Sequence, residues 1–335
     1  MSVLRNDGPG QFTEERTIVG NRVHDTVIGD VTGDGSTDIA AVRLDEDTHR
    51  RHELHVLEQR PNGTFAPDSD PQLFDASTNG GVGTPRVAGG DLDGDGDLDL
   101  VVSGAIFEQA VLLNSDAAPG DLAVLHYPGG SVSTRIVDMD GDGDRDVVGA
   151  DGGGGVAGTL AVRRNAGDGT FGPRQELVTG RDPWAVAVSD LDGDGRPDVL
   201  VPSRETGTGI THLQGADGRL GAPPAGQLFA PSVDVATGDV DGDGDQDVAA
   251  VEGDFTSGDT IDVMHNSGSG ELTRVERVAA GGIDPRSLVT GDLDDDGDLD
   301  LSWLVGHGQF QRVATLARRR DGVRSAVPAP GLDLQ

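Results

Sequence analysis

Cysteine is absent from this chain of 335 residues, so no disulfide can staple the fold. Lysine is absent too: all 25 basic residues are arginine, which reads as a bias toward GC-rich codons, with adaptation to salt as the alternative. Aromatic residues are 3% of the chain, with 2 Trp and 1 Tyr, few for the stacking platforms that carbohydrate-active enzymes usually display. No stretch is long and apolar enough to cross a bilayer, and Met1-Ser2-Val3-Leu4-Arg5 lacks the apolar core of a secretory leader. Positive charge is scarce against 59 acidic residues, and the formal net charge of −34 excludes nucleic acid and anionic membranes as partners. G-x-S-x-G, H-E-x-x-H and phosphate-cradling glycine loops are also missing.

What the chain has instead is a nine-residue acidic pattern, repeated six times. The clearest copies run Asp91-Leu-Asp93-Gly-Asp95-Gly-Asp97-Leu-Asp99, Asp138-Met-Asp140-Gly-Asp142-Gly-Asp144-Arg-Asp146 and Asp239-Val-Asp241-Gly-Asp243-Gly-Asp245-Gln-Asp247. Near copies begin at Asp30, Asp190 and Asp292, and successive first aspartates lie 61, 47, 52, 49 and 53 residues apart. A period of about fifty residues marks a repeated structural unit. Of the 59 acidic residues, 28 fall inside the six copies, so about half the negative charge is concentrated there.

Carboxylates at positions one, three, five and nine place four hard oxygen ligands on a stretch too short for a helix. Like charges this dense repel unless a cation sits among them. Glycine at position six allows the sharp turn that points the ligands inward, and the carbonyl of position seven can add another oxygen. Calcium accepts this set best; magnesium demands a tighter octahedron, and zinc or copper would call for His or Cys. The expected ligands are Asp30, Thr32, Asp34 and Asp38; Asp91, Asp93, Asp95, Asp97 and Asp99; and Asp138, Asp140, Asp142, Asp144 and Asp146. The later loops add Asp190, Asp192, Asp194, Arg196 and Asp198; Asp239, Asp241, Asp243, Asp245 and Asp247; and Asp292, Asp294, Asp296, Asp298 and Asp300. Thr32 replaces a carboxylate at position three, so the first site is expected to be the weakest of about six. Asp295 stands where the other copies have glycine. The twelfth-position Glu of an EF-hand is missing and no helical periodicity flanks the loops, so a strand, loop, strand reading follows, with Val27-Ile28, Leu98 to Val102 and Val186 to Val188 as strand segments.

Between the acidic loops lies a second repeat. Asn62-Gly63-Thr64-Phe65, Asp168-Gly169-Thr170-Phe171, Asp217-Gly218-Arg219-Leu220 and Gly270-Glu271-Leu272 each follow a β run, and Asn-Gly or Asp-Gly between β segments signals a hairpin. Strand, loop, strand, connection, strand, hairpin, strand makes four antiparallel strands per repeat, the plan of a propeller blade. With these residues in view the chain resembles the FG-GAP/VCBS repeats of the integrin α-subunit propeller and its bacterial relatives. The resemblance implies an all-β, calcium-binding β-propeller of four-stranded blades, with six blades favoured over the integrin seven. The blades are expected near residues 20–75, 82–128, 130–178, 182–230, 231–280 and 283–328 of one domain spanning 1–335, with 1–19 helping to close the ring.

Aligning the copies on the first aspartate separates positions that build each blade from positions that vary. Five and six residues earlier stand His24, Arg86, Trp184, Asp234 and Arg286, read as a ring that contacts a ligand at the starts of the innermost strands. Arg135, three residues before its loop where other copies carry small or β-forming residues, is read as either a buried ion pair or a functional group. His49, His52 and His55 recur at every third residue, but a loop entering a strand explains them better than a metal site. The reading that follows is a non-enzymatic, calcium-dependent binding or adhesion module for a protein or glycan, monomeric unless part of a larger assembly. A propeller-type polysaccharide lyase or hydrolase is the alternative. Sites of this kind need the calcium of extracellular fluid, so the expected location is extracellular or cell-surface, after removal of a leader.

Overall fold

The computed structural model describes residues 2–8, 11–16, 23–44, 51–66, 72–75, 85–105, 108–114, 123–128, 131–152, 157–205, 207–221, 227–228, 231–252, 259–282, 285–293, 295–307 and 310–316. Among them there is no helix. The chain is all-β, and its successive antiparallel sheets follow the plan of a β-propeller with four-stranded blades.

The first sheet pairs Val23–Gly29, Asp38–Leu44, Arg51–Leu57 and Gln72–Asp75 in chain order, and the second pairs Arg86–Gly90, Asp99–Ala105, Glu108–Leu113 and Ala123–Pro128. The third comprises Ser133–Val137, Asp146–Asp151, Ala157–Arg163 and Gln175–Arg181. The fourth comprises Ala187–Ser189, Asp198–Pro202, Thr208–His212 and Gln227–Leu228. The fifth holds Ser232–Gly238, Asp247–Glu252, Thr260–Asn266 and Leu272–Ala279, and the sixth holds three described strands, Arg286–Gly291, Asp300–His307 and Phe310–Leu316. Ser2–Gly8 and Gln11–Arg16 form a separate two-stranded sheet.

By compactness the chain divides into two units, residues 1–4, 14–154 and 158–178 in one and residues 5–13, 155–157 and 179–335 in the other. The first holds sheets one to three, apart from Ala157 and the end of the last strand, and the second holds sheets four to six. In each unit the first strands of consecutive sheets lie side by side. The apolar core fills the space between neighbouring sheets. Leu54, Leu100 and Leu112 are fully buried between sheets one and two, and Leu92, Val101, Val111 and Val147 between two and three. In the second unit Leu191, Leu200, Val248 and Met264 join sheets four and five, and Val251, Ile261, Leu301 and Trp303 join five and six.

Strand composition explains this layering. Second strands carry short apolar runs behind a leading aspartate, and the strand Asp247–Glu252 is buried up to its last residue, as it must be with sheets four and six packed on its two faces. The outer strand Gln175–Arg181 alternates instead, with one face toward water. Close approach of the sheets also needs a missing side chain: a Cβ on Gly29 would lie 2.5 Å from Leu98 Cδ2, and one on Gly238 would lie 2.6 Å from Leu299 Cδ1. Each glycine immediately precedes an acidic loop and receives the eighth residue of the next loop.

Candidate metal centres

Each acidic loop links the first and second strands of its sheet and closes on itself through bonds from backbone to carboxylate. Asp91 accepts N–H groups from Gly94 (2.8 Å) and Gly96 (3.2 Å), and Asp138 accepts them from Gly141 (2.7 Å) and Gly143 (3.0 Å). Asp239 does the same with Gly242 and Gly244. In loops one, four and six the first donor is the fifth residue: Asp34 to Asp30, Asp194 to Asp190 and Asp296 to Asp292, each at 3.1 Å. The fifth carboxylate accepts the N–H of the seventh residue in all six loops, at 2.7 to 3.0 Å. These are Asx turns, and they need left-handed backbone at positions four and six, as in Gly94 (φ 77°) and Gly96 (φ 94°). In the sixth loop Asp295 takes the fourth position at φ 64°.

Folding of the loop brings the carboxylates together. Ligating atoms of Asp30, Asp34 and Asp38, of Asp91, Asp93 and Asp99, of Asp138, Asp140 and Asp146, and of Asp190, Asp192 and Asp194 lie within 4.8 Å of one another. The crowding is felt in their acidity. Burial pushes Asp99 up to about 6, helped by the charges of Asp93 and Asp95. Burial, followed by repulsion from neighbouring carboxylates, raises Asp93 and Asp192, and burial chiefly raises Asp140, Asp198 and Asp247. A hard, oxygen-ligated divalent cation suits such a set, because it neutralises groups that otherwise resist ionising side by side. Asp294 lies outside the described residues.

The ninth aspartate ties loop and strands together. Asp38, Asp99, Asp146, Asp198, Asp247 and Asp300 are all buried. In loops two to six one oxygen accepts the N–H of the loop's apolar second residue, as in Leu92 to Asp99 (2.6 Å), Met139 to Asp146 (3.0 Å) and Leu191 to Asp198 (2.9 Å). The other accepts the N–H of an amide residue just past the third strand: Gln59, Asn114, Asn165, Gln214 or Asn266. Three of these amides then reach the preceding sheet. Asn114 donates to the carbonyl of Val31 (2.8 Å), Asn165 to Leu92 (2.6 Å) and Asn266 to Leu191 (2.7 Å). The hairpin glycines Gly169 and Gly270 donate to the same carbonyls of Leu92 and Leu191. Sequence reasoning missed these amides. They stand three residues before Asn62, Asp168, Asp217 and Ser269, so the hairpin was the reference point that could have found them.

The FG-GAP-like repeat profile matches residues 30–102, 138–201 and 239–303, each match starting on a loop's first aspartate and running through the following loop. The chain belongs to the FG-GAP-like repeat family. No curated protein matches it in sequence. Among solved structures, a Bacteroides uniformis protein described as a "putative 6-phosphogluconolactonase" is similar at TM-score 0.60 and 15% identity, over 90% of this chain and 83% of that one. A functionally unknown protein of Desulfotomaculum acetoxidans is similar at TM-score 0.55 and 13% identity, over 85% and 77%. A Lactobacillus plantarum protein is similar at TM-score 0.59 and 9% identity, over 95% and 87%. At these identities the likeness is one of fold.

The FG-GAP loops of this chain are not equivalent. In the first, Thr32 donates both its N–H (3.0 Å) and its hydroxyl (2.7 Å) to Asp38. In the fourth, Arg196 pairs with Asp194 and donates through Nε to the Gln214 carbonyl. In the fifth, His265 Nδ1 is 2.9 Å from Asp241 Oδ2, and its imidazole joins Asp241 and Asp247 in one cluster. In the third, Arg164 Nη1 lies 2.6 Å from Asp146 Oδ2 and Nε lies 3.5 Å from Asp140 Oδ2.

At the opposite ends of the first strands, His24 and Arg86 belong to the first unit, and Trp184, Asp234 and Arg286 to the second. Asp234 Oδ2 accepts the N–H of Leu288 in the next sheet (2.8 Å), as Asp25 accepts that of Val87 (3.1 Å), and a register shift beside each aspartate re-aims the strand. Arg86 donates to the Val132 carbonyl (3.2 Å). Trp184 donates to Asp182 and lies 4.8 Å beneath the Arg204 guanidinium. Arg286 is exposed and His24 half-buried. Arg135 is exposed, not buried in an ion pair, and donates to the Thr134 carbonyl. His52 and His55 are buried strand residues; His55 contacts Glu53 (3.2 Å) and Arg43 (3.0 Å), while His49 lies outside the described residues.

Proposed function

We propose that this protein is a calcium-stabilised, non-enzymatic binding module whose acidic loops hold structural ions while other surfaces engage a protein or glycan ligand outside the cell. The observation that carries the reading is the convergence of the first, third and ninth carboxylates of one loop, with the ninth buried and bonded to two strands of its sheet. A cation there ties both strands to the loop and offsets the burial, and the lesser mutual repulsion, that raise these acids. Calcium matches an all-oxygen, partly backbone-bonded loop better than magnesium does. Without disulfides, such ions supply cross-links that the covalent chain lacks; a ligand at a hundredfold its dissociation constant adds roughly 2.7 kcal/mol per site. Trp184 and the exposed Arg286, both in the second unit, are the first residues to test for ligand contact.

A thermal melt in EDTA and in millimolar calcium tests the ion: the expected result is a higher melting temperature with calcium, and identical curves refute ion-stabilised folding. Protein and glycan arrays probed under the same two conditions test the module: binding without turnover supports it, and release of product from an anionic polysaccharide overturns it.

A further inference from the structure

The residue just before the amide near the end of the third strand stands, by strand register, opposite the ninth aspartate of its own sheet's loop, and it differs from sheet to sheet. It is Glu58, Leu113, Arg164, Leu213 and His265 in sheets one to five. The strand pairings Ile39 with Leu57, Leu100 with Leu112, Val147 with Arg163, Val199 with His212 and Val248 with Met264 establish that these positions are equivalent. Leucine at this position brings no charge to the loop. Arg164 brings a permanent cation, and its guanidinium contacts the third carboxylate, Asp140, and the ninth, Asp146. These are the two groups between which a divalent ion would sit. Asp146 is then fully engaged, accepting from Met139 and Arg164 on one oxygen and from Asn165 on the other.

Resting on the calcium reading of the sister loops, we infer that the third loop is closed by the chain's own cation and carries no metal. Two like charges cannot share the gap between Asp140 and Asp146, and a guanidinium tethered to the third strand is present at every calcium concentration. The fork geometry of arginine suits this role, since one planar group reaches two carboxylates at once. The third loop therefore holds its sheet together in calcium-depleted conditions, when the loops beside leucine open.

Counting bound calcium per chain by equilibrium dialysis tests the inference. The wild-type chain is compared with Arg164→Leu, which installs the residue of sheets two and four, and with Asp140→Asn and Asp93→Asn. The expected result is one more ion in Arg164→Leu than in wild type, no change in Asp140→Asn, and one ion fewer in Asp93→Asn. Because Arg164→Leu strips Asp146 of a partner and could weaken folding, Asp140→Asn in the otherwise natural chain is an independent readout. Loss of an ion in Asp140→Asn, or equal counts in wild type and a folded Arg164→Leu, overturns the inference and leaves the calcium reading intact. Absence of bound ions in every chain overturns the calcium reading and the inference with it.

Discussion

Asp295 is a side chain placed where the backbone asks for none. The fourth position of the other five loops is glycine, with φ of 71° at Gly33 and 80° at Gly242, and Asp295 adopts the same left-handed conformation at 64°. An L-residue in that region costs about 1 kcal/mol, somewhat less for aspartate, whose short polar side chain tolerates it. The side chain is exposed, so its loss forfeits no burial. Asp295→Gly is expected to stabilise the protein by about 0.5–1 kcal/mol, read as a raised urea midpoint with unchanged slope. A lowered midpoint would mean that the extra carboxylate serves the sixth loop.

At the scale of elements, the loop depends on a neighbour. The Asn165 amide bonds to the Leu92 carbonyl at 2.6 Å and to the Arg145 carbonyl at 2.9 Å, joining its own loop to the one before. Asn165→Ala removes both bonds, leaving Leu92 with Gly169 alone and Arg145 without this donor, and is expected to cost about 1–3 kcal/mol in chemical denaturation. A loss under 1 kcal/mol would show the amide to be incidental. Which parts of this arrangement were legible in the chain follows from spacing. Asp91, Asp93, Asp95 and Asp99 keep a constant separation because the geometry of the turn demands it, so loops, flanking strands and hairpins could be read directly. The amides could not be found by counting from the loop. Asn114 follows Asp99 by 15 residues, while Gln59 follows Asp38 by 21, because connections between the second and third strands vary in length. The contact of Arg164 with Asp140 is likewise created by strand pairing, not by proximity in sequence. At the start of the first strands, Asp25 and Asp234 bond to neighbouring backbone, a role that variation among copies does not reveal.

For the whole molecule, the raised carboxylates determine how stability responds to pH. Asp99 titrates at about 6 in the folded protein, and its ordinary value is 3.8. Asp93, Asp192, Asp198 and Asp247 shift in the same direction. In calcium-free protein the folded state therefore binds more protons than the unfolded chain between about pH 4 and pH 6, and stability falls as pH rises through that window. Melting in EDTA is expected at a lower temperature at pH 6.5 than at pH 4.5. Calcium reverses the order, since ion and proton compete for the same oxygens. A flat or rising profile in EDTA would contradict the burial of these acids.

The amide links between sheets also impose a schedule on synthesis. The carbonyl of Val31 waits 83 residues for Asn114, that of Leu92 waits 73 for Asn165, and that of Leu191 waits 75 for Asn266. In these three pairs the loop leaving the ribosome is thus incomplete until the following repeat has been translated, and that repeat locks the one already made. Within those pairs the earlier repeat matures only once the later one has emerged, and until then its loop is the part open to proteases and wrong partners.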